Sequence, residues 1–143
     1  MCLYSKNYPR IAKRNIVCYK VLRKWLTTSS CSKYIDSETI VTPVTLDIVT
    51  VKTGGSFEAA GTELKQKTPS GYAYSRGFIH TFKNVSDALE FSKICKAKSD
   101  SVLSFIIYYC IIPKNTKYVK GKDEHNYESY ASKKIVFKEE VAI

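Results

Sequence analysis

The chain has 143 residues, 44% of them hydrophobic and 25% charged, with a formal net charge of +10. That length suits one domain burying roughly 68–70% of its unfolded surface, and the balance excludes wholesale disorder. The longest apolar run, residues 102–112, is far shorter than the roughly 20 residues of a membrane span, and the first residues hold no apolar h-region.

Taken in chain order, residues 1–15 show no clean period and carry Pro9, so they read as a basic surface arm on a core of 16–143. Residues 16–22, Ile-Val-Cys-Tyr-Lys-Val-Leu, are strongly β-prone and predict the first core strand. A polar loop is expected over 23–37. Residues 40–51 are rich in Val, Ile and Thr, but Pro43 removes a ladder donor and confines the stretch to an edge or a strand start. Residues 56–74 carry Gly61, Pro69 and Gly71 and read as loop with room for one short strand.

A strand opening after Gly77 leads into a helix over 86–98, capped by Asn84 or Ser86, with Ala88, Phe91 and Ile94 mostly on one face. The run 102–112 fits a central strand covered on both faces. A turn follows at 113–116, a brief strand at 117–119, a charged loop over 121–128 and a closing strand over 132–141. The fold class expected is α+β: one domain, with a small twisted, mainly antiparallel sheet and one main helix.

Five cysteines, Cys2, Cys18, Cys31, Cys95 and Cys110, stand at no metal-knuckle or redox spacing, so no metal site and no disulfide framework is expected. A reducing, cytoplasmic setting follows, in which the sequon at Asn84 has no role. His125 sits in a polar loop and reads as solvated. His80 lies on a predicted strand and serves either as a sheet-surface hydrogen-bonder or as a group in a cleft. No Gly-x-Ser-x-Gly elbow, His-Glu-x-x-His helix or Walker loop is present, and Gly54-Gly55 reads as a turn.

Charge is uneven. No acidic residue precedes Asp36, whereas Lys6, Arg10, Lys13, Arg14, Lys20, Arg23, Lys24 and Lys33 all do. Such a field attracts phosphates or acidic protein surfaces, and it also serves as a solvated face. The interleaving of Lys117-Tyr118-Val119-Lys120 suits base stacking and phosphate contact, although strand propensity alone produces it.

The order of elements in the second half resembles the ADP-ribosyltransferase-like fold. Gly77-Phe78-Ile79-His80-Thr81-Phe82 stands for that family's Gly-Phe-x-Ser-x-Ser strand, and Ala88 and Phe91 stand for its Ala-x-x-Phe helix. Tyr19-Lys20-Val21 occupies the place of Tyr-Arg-Gly, and Ser129, Ala131 and Ser132 occupy the region of Glu-x-Glu. The resemblance implies an NAD pocket, with His80 in it and Glu128 or Glu140 as the catalytic carboxylate in a divergent transferase. The missing Glu-x-Glu implies a pocket without transfer chemistry and without a cofactor.

The stretches Cys18-Tyr19-Lys20-Val21, Ile112-Pro113-Lys114-Asn115-Thr116-Lys117-Tyr118 and Tyr130-Ala131-Ser132-Lys133-Lys134-Ile135 also resemble small uncharacterised phage and mobile-element proteins of gut bacteria. That resemblance implies a phage-encoded protein acting in the host cytoplasm as an inhibitor or sequestering protein. The reading that follows is a non-catalytic binding domain for an anionic, nucleotide-type ligand or an acidic host protein. Its site residues are Lys20, Arg23, Arg76, His80, Tyr130 and Ser132. Two alternatives stand beside it: the divergent transferase, and a nucleic-acid binder led by the basic arm.

Overall fold

The computed structural model describes residues 3–24, 38–41, 48–51, 54–59, 62–98 and 104–142. Among them the elements run β1 (Leu3–Ser5), β2 (Arg10–Ile11), β3 (Ile16–Lys24), β4 (Glu38–Val41), β5 (Ile48–Val51), β6 (Ser56–Glu58) and β7 (Leu64–Thr68). There follow β8 (Gly71–Arg76), β9 (Ile79–Phe82), α1 (Val85–Lys98), β10 (Ser104–Ile112), β11 (Lys117–Lys122), β12 (Glu128–Ser132) and β13 (Lys134–Glu140). The α+β class is as expected, but the sheet is large, not small. Its main path is β6-β13-β10-β3-β9-β12-β11-β1-β8-β7, with β2 added to β11 and the β4–β5 hairpin added to β3. Each described pairing is antiparallel.

The centre forms where β-branched and aromatic residues are densest. β3 and β10 pair over their full length, from Ile16 opposite Ile112 to Lys24 opposite Ser104. Alternation along these strands then makes two cores. On one side Cys18, Leu22, Cys110 and Ile112 meet Ile79, Tyr130, Ile135 and Phe137. On the other, Val21 and Ile107 meet Phe82 and the helix residues Ala88 and Phe91. Each such ring or aliphatic chain fully buried is worth about 1.5–3 kcal/mol. The helix begins one residue earlier than expected. Asn84 is its cap: the Ala88 amide donates to the Asn84 carbonyl oxygen at 3.2 Å, and Asp87 in the first turn suits the dipole.

Several expectations are corrected. The segment read as a surface arm supplies two strands, and Leu3 is buried against Tyr74, Phe78, Val119 and Ala131 in a third core. A three-residue strand is too short to show a period, so its sequence gave no warning. The stretch read mainly as loop over 56–74 holds β6, β7 and part of β8, whose turn is made by Gly71. The edge expected over 40–51 is a hairpin of β4 and β5, while Pro43 and most of the loop at 23–37 lie outside the described residues.

Candidate functional site

Residues 10–15 are pinned across the turn that links β10 to β11. Arg10 and Ile11 pair with Tyr118 and Lys117. The Ala12 amide donates to the Thr116 carbonyl at 2.9 Å, and the Asn115 amide donates to the Ala12 carbonyl at 2.8 Å. Asn15 then accepts from the Lys114 amide through Oδ1 at 2.9 Å. This clamp turns a basic stretch of sequence into one wall of an open cleft of about 830 Å³. The rest of its lining includes Lys83 and Asn84 before α1, Tyr118 and Lys120 of β11, and Tyr130 of β12.

Five cations, Arg10, Lys13, Arg14, Lys83 and Lys120, and three rings, Tyr19, Tyr118 and Tyr130, line this cleft, and no carboxylate does. The Arg10 guanidinium carbon lies 6.0 Å from the Tyr118 ring centre, and Tyr118 and Tyr130 meet edge to face at 6.2 Å. Burial raises the Tyr130 hydroxyl pKa, with Lys83 opposing, so the group stays a neutral donor. Lys83 has one partner at the rim: its Nζ is 3.6 Å from Glu128 Oε2, with both side chains substantially exposed. A pair so exposed is worth little and yields readily to a stronger anion.

Of the six site residues read from the sequence, Tyr130 is placed in this lining. Lys20 is not on a surface: it is 1% exposed, and its Nζ donates to the His80 carbonyl oxygen at 2.8 Å. Burial pushes its pKa down to about 7. An alternating strand position beside Cys18 and Cys110 put it on the core side, so it is a buried amine, not a ligand contact. Ser132 is fully buried, and its hydroxyl donates to the Lys134 carbonyl at 3.3 Å. The backbones of Arg23 and Arg76 lie on β3 and β8, with four strands between them in the sheet path, and their side chains lie outside the described ones.

His80 is buried on the helix side, edge-on to Phe82 at 4.7 Å. Burial, then the nearby Lys20 charge, holds its pKa well below the ordinary value. Its Nε2 is 3.8 Å from Asp123 Oδ2, and neither atom has a hydrogen-bond partner. The other Asp123 oxygen accepts from the amides of His125 and Tyr127, and so shapes the β11–β12 turn. Glu128 lies at the cleft rim, and Glu140 is exposed at the far end of β13, opposite Tyr108. His80, Glu128 and Glu140 therefore do not converge on one pocket.

Apart from Lys83, the cations and the two further rings that reading did not name were visible as an acid-free stretch and as Lys117-Tyr118-Val119-Lys120. Only their convergence was hidden, because it depends on the long-range pairing of β2 with β11. Among the described residues no three His, Cys, Asp or Glu side chains gather as a metal site, Cys18, Cys95 and Cys110 form no disulfide, and no helix is long and apolar enough to cross a membrane. Set against known proteins, the chain matches no family model, no curated protein and no solved structure.

Proposed function

We propose that this protein is a binding domain that takes a phosphate-bearing, nucleotide-type ligand in the cleft between residues 10–15 and strands β11 and β12. The observation that carries the reading is the lining itself: five cationic side chains and three tyrosines with no carboxylate among them. Backbone hydrogen bonds fix the main chain at Ala12, so the exposed cation side chains are what remains to be ordered on binding, at about 0.5–1.5 kcal/mol each, and hydrogen bonds from charged donors are worth about 1.5–3 kcal/mol each. The rings supply faces and edges for a planar base. A concave site with rings in its wall favours such a base over the flat acidic surface of a protein partner.

The test is titration calorimetry of the purified protein with nucleoside mono-, di- and triphosphates and short oligonucleotides. Binding of at least one is expected, and Lys120→Ala should weaken it by about tenfold, equivalent to ~1.4 kcal/mol, with the melting temperature unchanged. No binding of any of them at millimolar concentration overturns the reading.

A further inference from the structure

A second, smaller cleft of about 510 Å³ lies beside the first, reached along the same strand. Strand β11 contributes Tyr118 and Lys120 to the first cleft and Lys122 to the second. Lys120 and Lys122 are two positions apart on a strand, so their side chains leave the same face about 6.6 Å from one another. Tyr4 of β1 is directly opposite Lys122 and 44% exposed, and Lys6 follows it into the same cleft. One side of the sheet therefore presents ring, cation, cation and ring in succession: Tyr118, Lys120, Lys122, Tyr4.

We infer that the two clefts form one track for a single-stranded nucleic acid, with the phosphates following Lys120, Lys122 and Lys6 and bases resting on Tyr118 and Tyr4. This rests on the function proposed above and names its ligand class. The spacing of the two β11 lysines is that of successive phosphates in an extended strand, which a lone mononucleotide does not use. The carboxylates along the way are engaged. Asp123, which borders the second cleft, is turned inward with its side chain fully buried. Glu128, the only acidic residue in β11 or β12, stands opposite Lys122 and 3.6 Å from Lys83, in an exposed contact that an incoming phosphate displaces readily. A groove of cations with tyrosines between them binds single strands by stacking and charge, with little sequence preference.

The experiment compares a thymidine dinucleotide with thymidine and uridine dodecanucleotides by fluorescence anisotropy, on wild-type protein, the double variant Lys6→Ala/Lys122→Ala and the control Lys138→Ala. All three substituted lysines are exposed. The track predicts that the better dodecamer binds at least about a hundredfold more tightly than the dinucleotide, beyond the roughly tenfold that its overlapping dinucleotide registers give by statistics alone. It also predicts that the double variant loses most of that gain while its affinity for the dinucleotide is unchanged. A gain for the dodecamer of about tenfold or less, or an equal loss in Lys138→Ala, overturns the track and leaves the first cleft standing. Absence of binding by every probe, nucleoside triphosphates included, overturns both.

Discussion

Lys20 occupies a place where an ammonium is expensive, and the pH dependence of stability follows from it. Its folded pKa of about 7 lies below its ordinary 10.5, so between these values the unfolded chain binds the extra proton and stability rises with pH, by up to ~1.4 kcal/mol per unit. Cys18 works the other way. Its thiol is raised from 9.0 to about 12, and that of Cys110 is raised as well, both by burial. Above pH 9 the unfolded chain loses those protons first, and two cysteines outweigh one lysine. Urea unfolding across this range should therefore show greatest stability near pH 9. Lys20→Met should abolish the rise from pH 7 to 9 and melt no lower than the wild type at pH 7, because an apolar chain replaces a desolvated charge.

Glu128 supplies a second test at the same scale. Glu128→Gln frees Lys83 from its only described carboxylate partner and is expected to tighten nucleotide binding severalfold. A catalytic carboxylate would instead show nicotinamide release from NAD by the wild type and its loss in the variant.

At the scale of elements, legibility followed length and period. The fourteen-residue helix and the nine-residue strands β3 and β10 were evident within a residue or two, since each carries enough positions to display its spacing. β1, at three residues, and β2, at two, were not. Their place is dictated by partners far along the chain. Gly121 makes one of those contacts possible, because a β-carbon there would run into the Tyr4 carbonyl. Gly121→Ala should cost about 1–3 kcal/mol, read as a lowered urea midpoint. Hydrogen exchange should show the loss concentrated in β1, β8 and β7, which reach the rest of the sheet through β11.

The same limit governed the candidate site at the scale of the whole molecule. The sequence exposed its ingredients, an acid-free stretch and a Lys-Tyr-Val-Lys strand, but the fold decided which cations met. Lys20, one of that stretch, turned inward because its position alternates with Tyr19 and Val21, while Arg10, Lys13 and Arg14 were gathered by the clamp at Ala12. Ensemble electrostatics are then directly measurable. With the five cations of the first cleft and Lys122 and Lys6 of the second engaged, at about 0.7 counterion each, the logarithm of the binding constant for a single strand should fall against the logarithm of salt with a slope of about −4.9. A flat profile would mean that these cations do not contact phosphate.

The pairing of β3 with β10 also orders events in time. β3 is complete at Lys24, whereas its partner begins at Ser104 and closes at Ile112, opposite Ile16. At synthesis rates of roughly 5–20 residues per second, the early strand waits on the order of 5 to 20 s for the chain that will cover it. During that interval a β-branched, sticky segment is flanked by Lys6, Arg10, Lys13 and Arg14 with no acid to offset them. Like charges hold such segments on neighbouring nascent chains apart. These cations, which line the two finished clefts, are therefore expected to serve earlier as gatekeepers against aggregation, and neutralising them jointly should lower the yield of folded protein before any ligand is met.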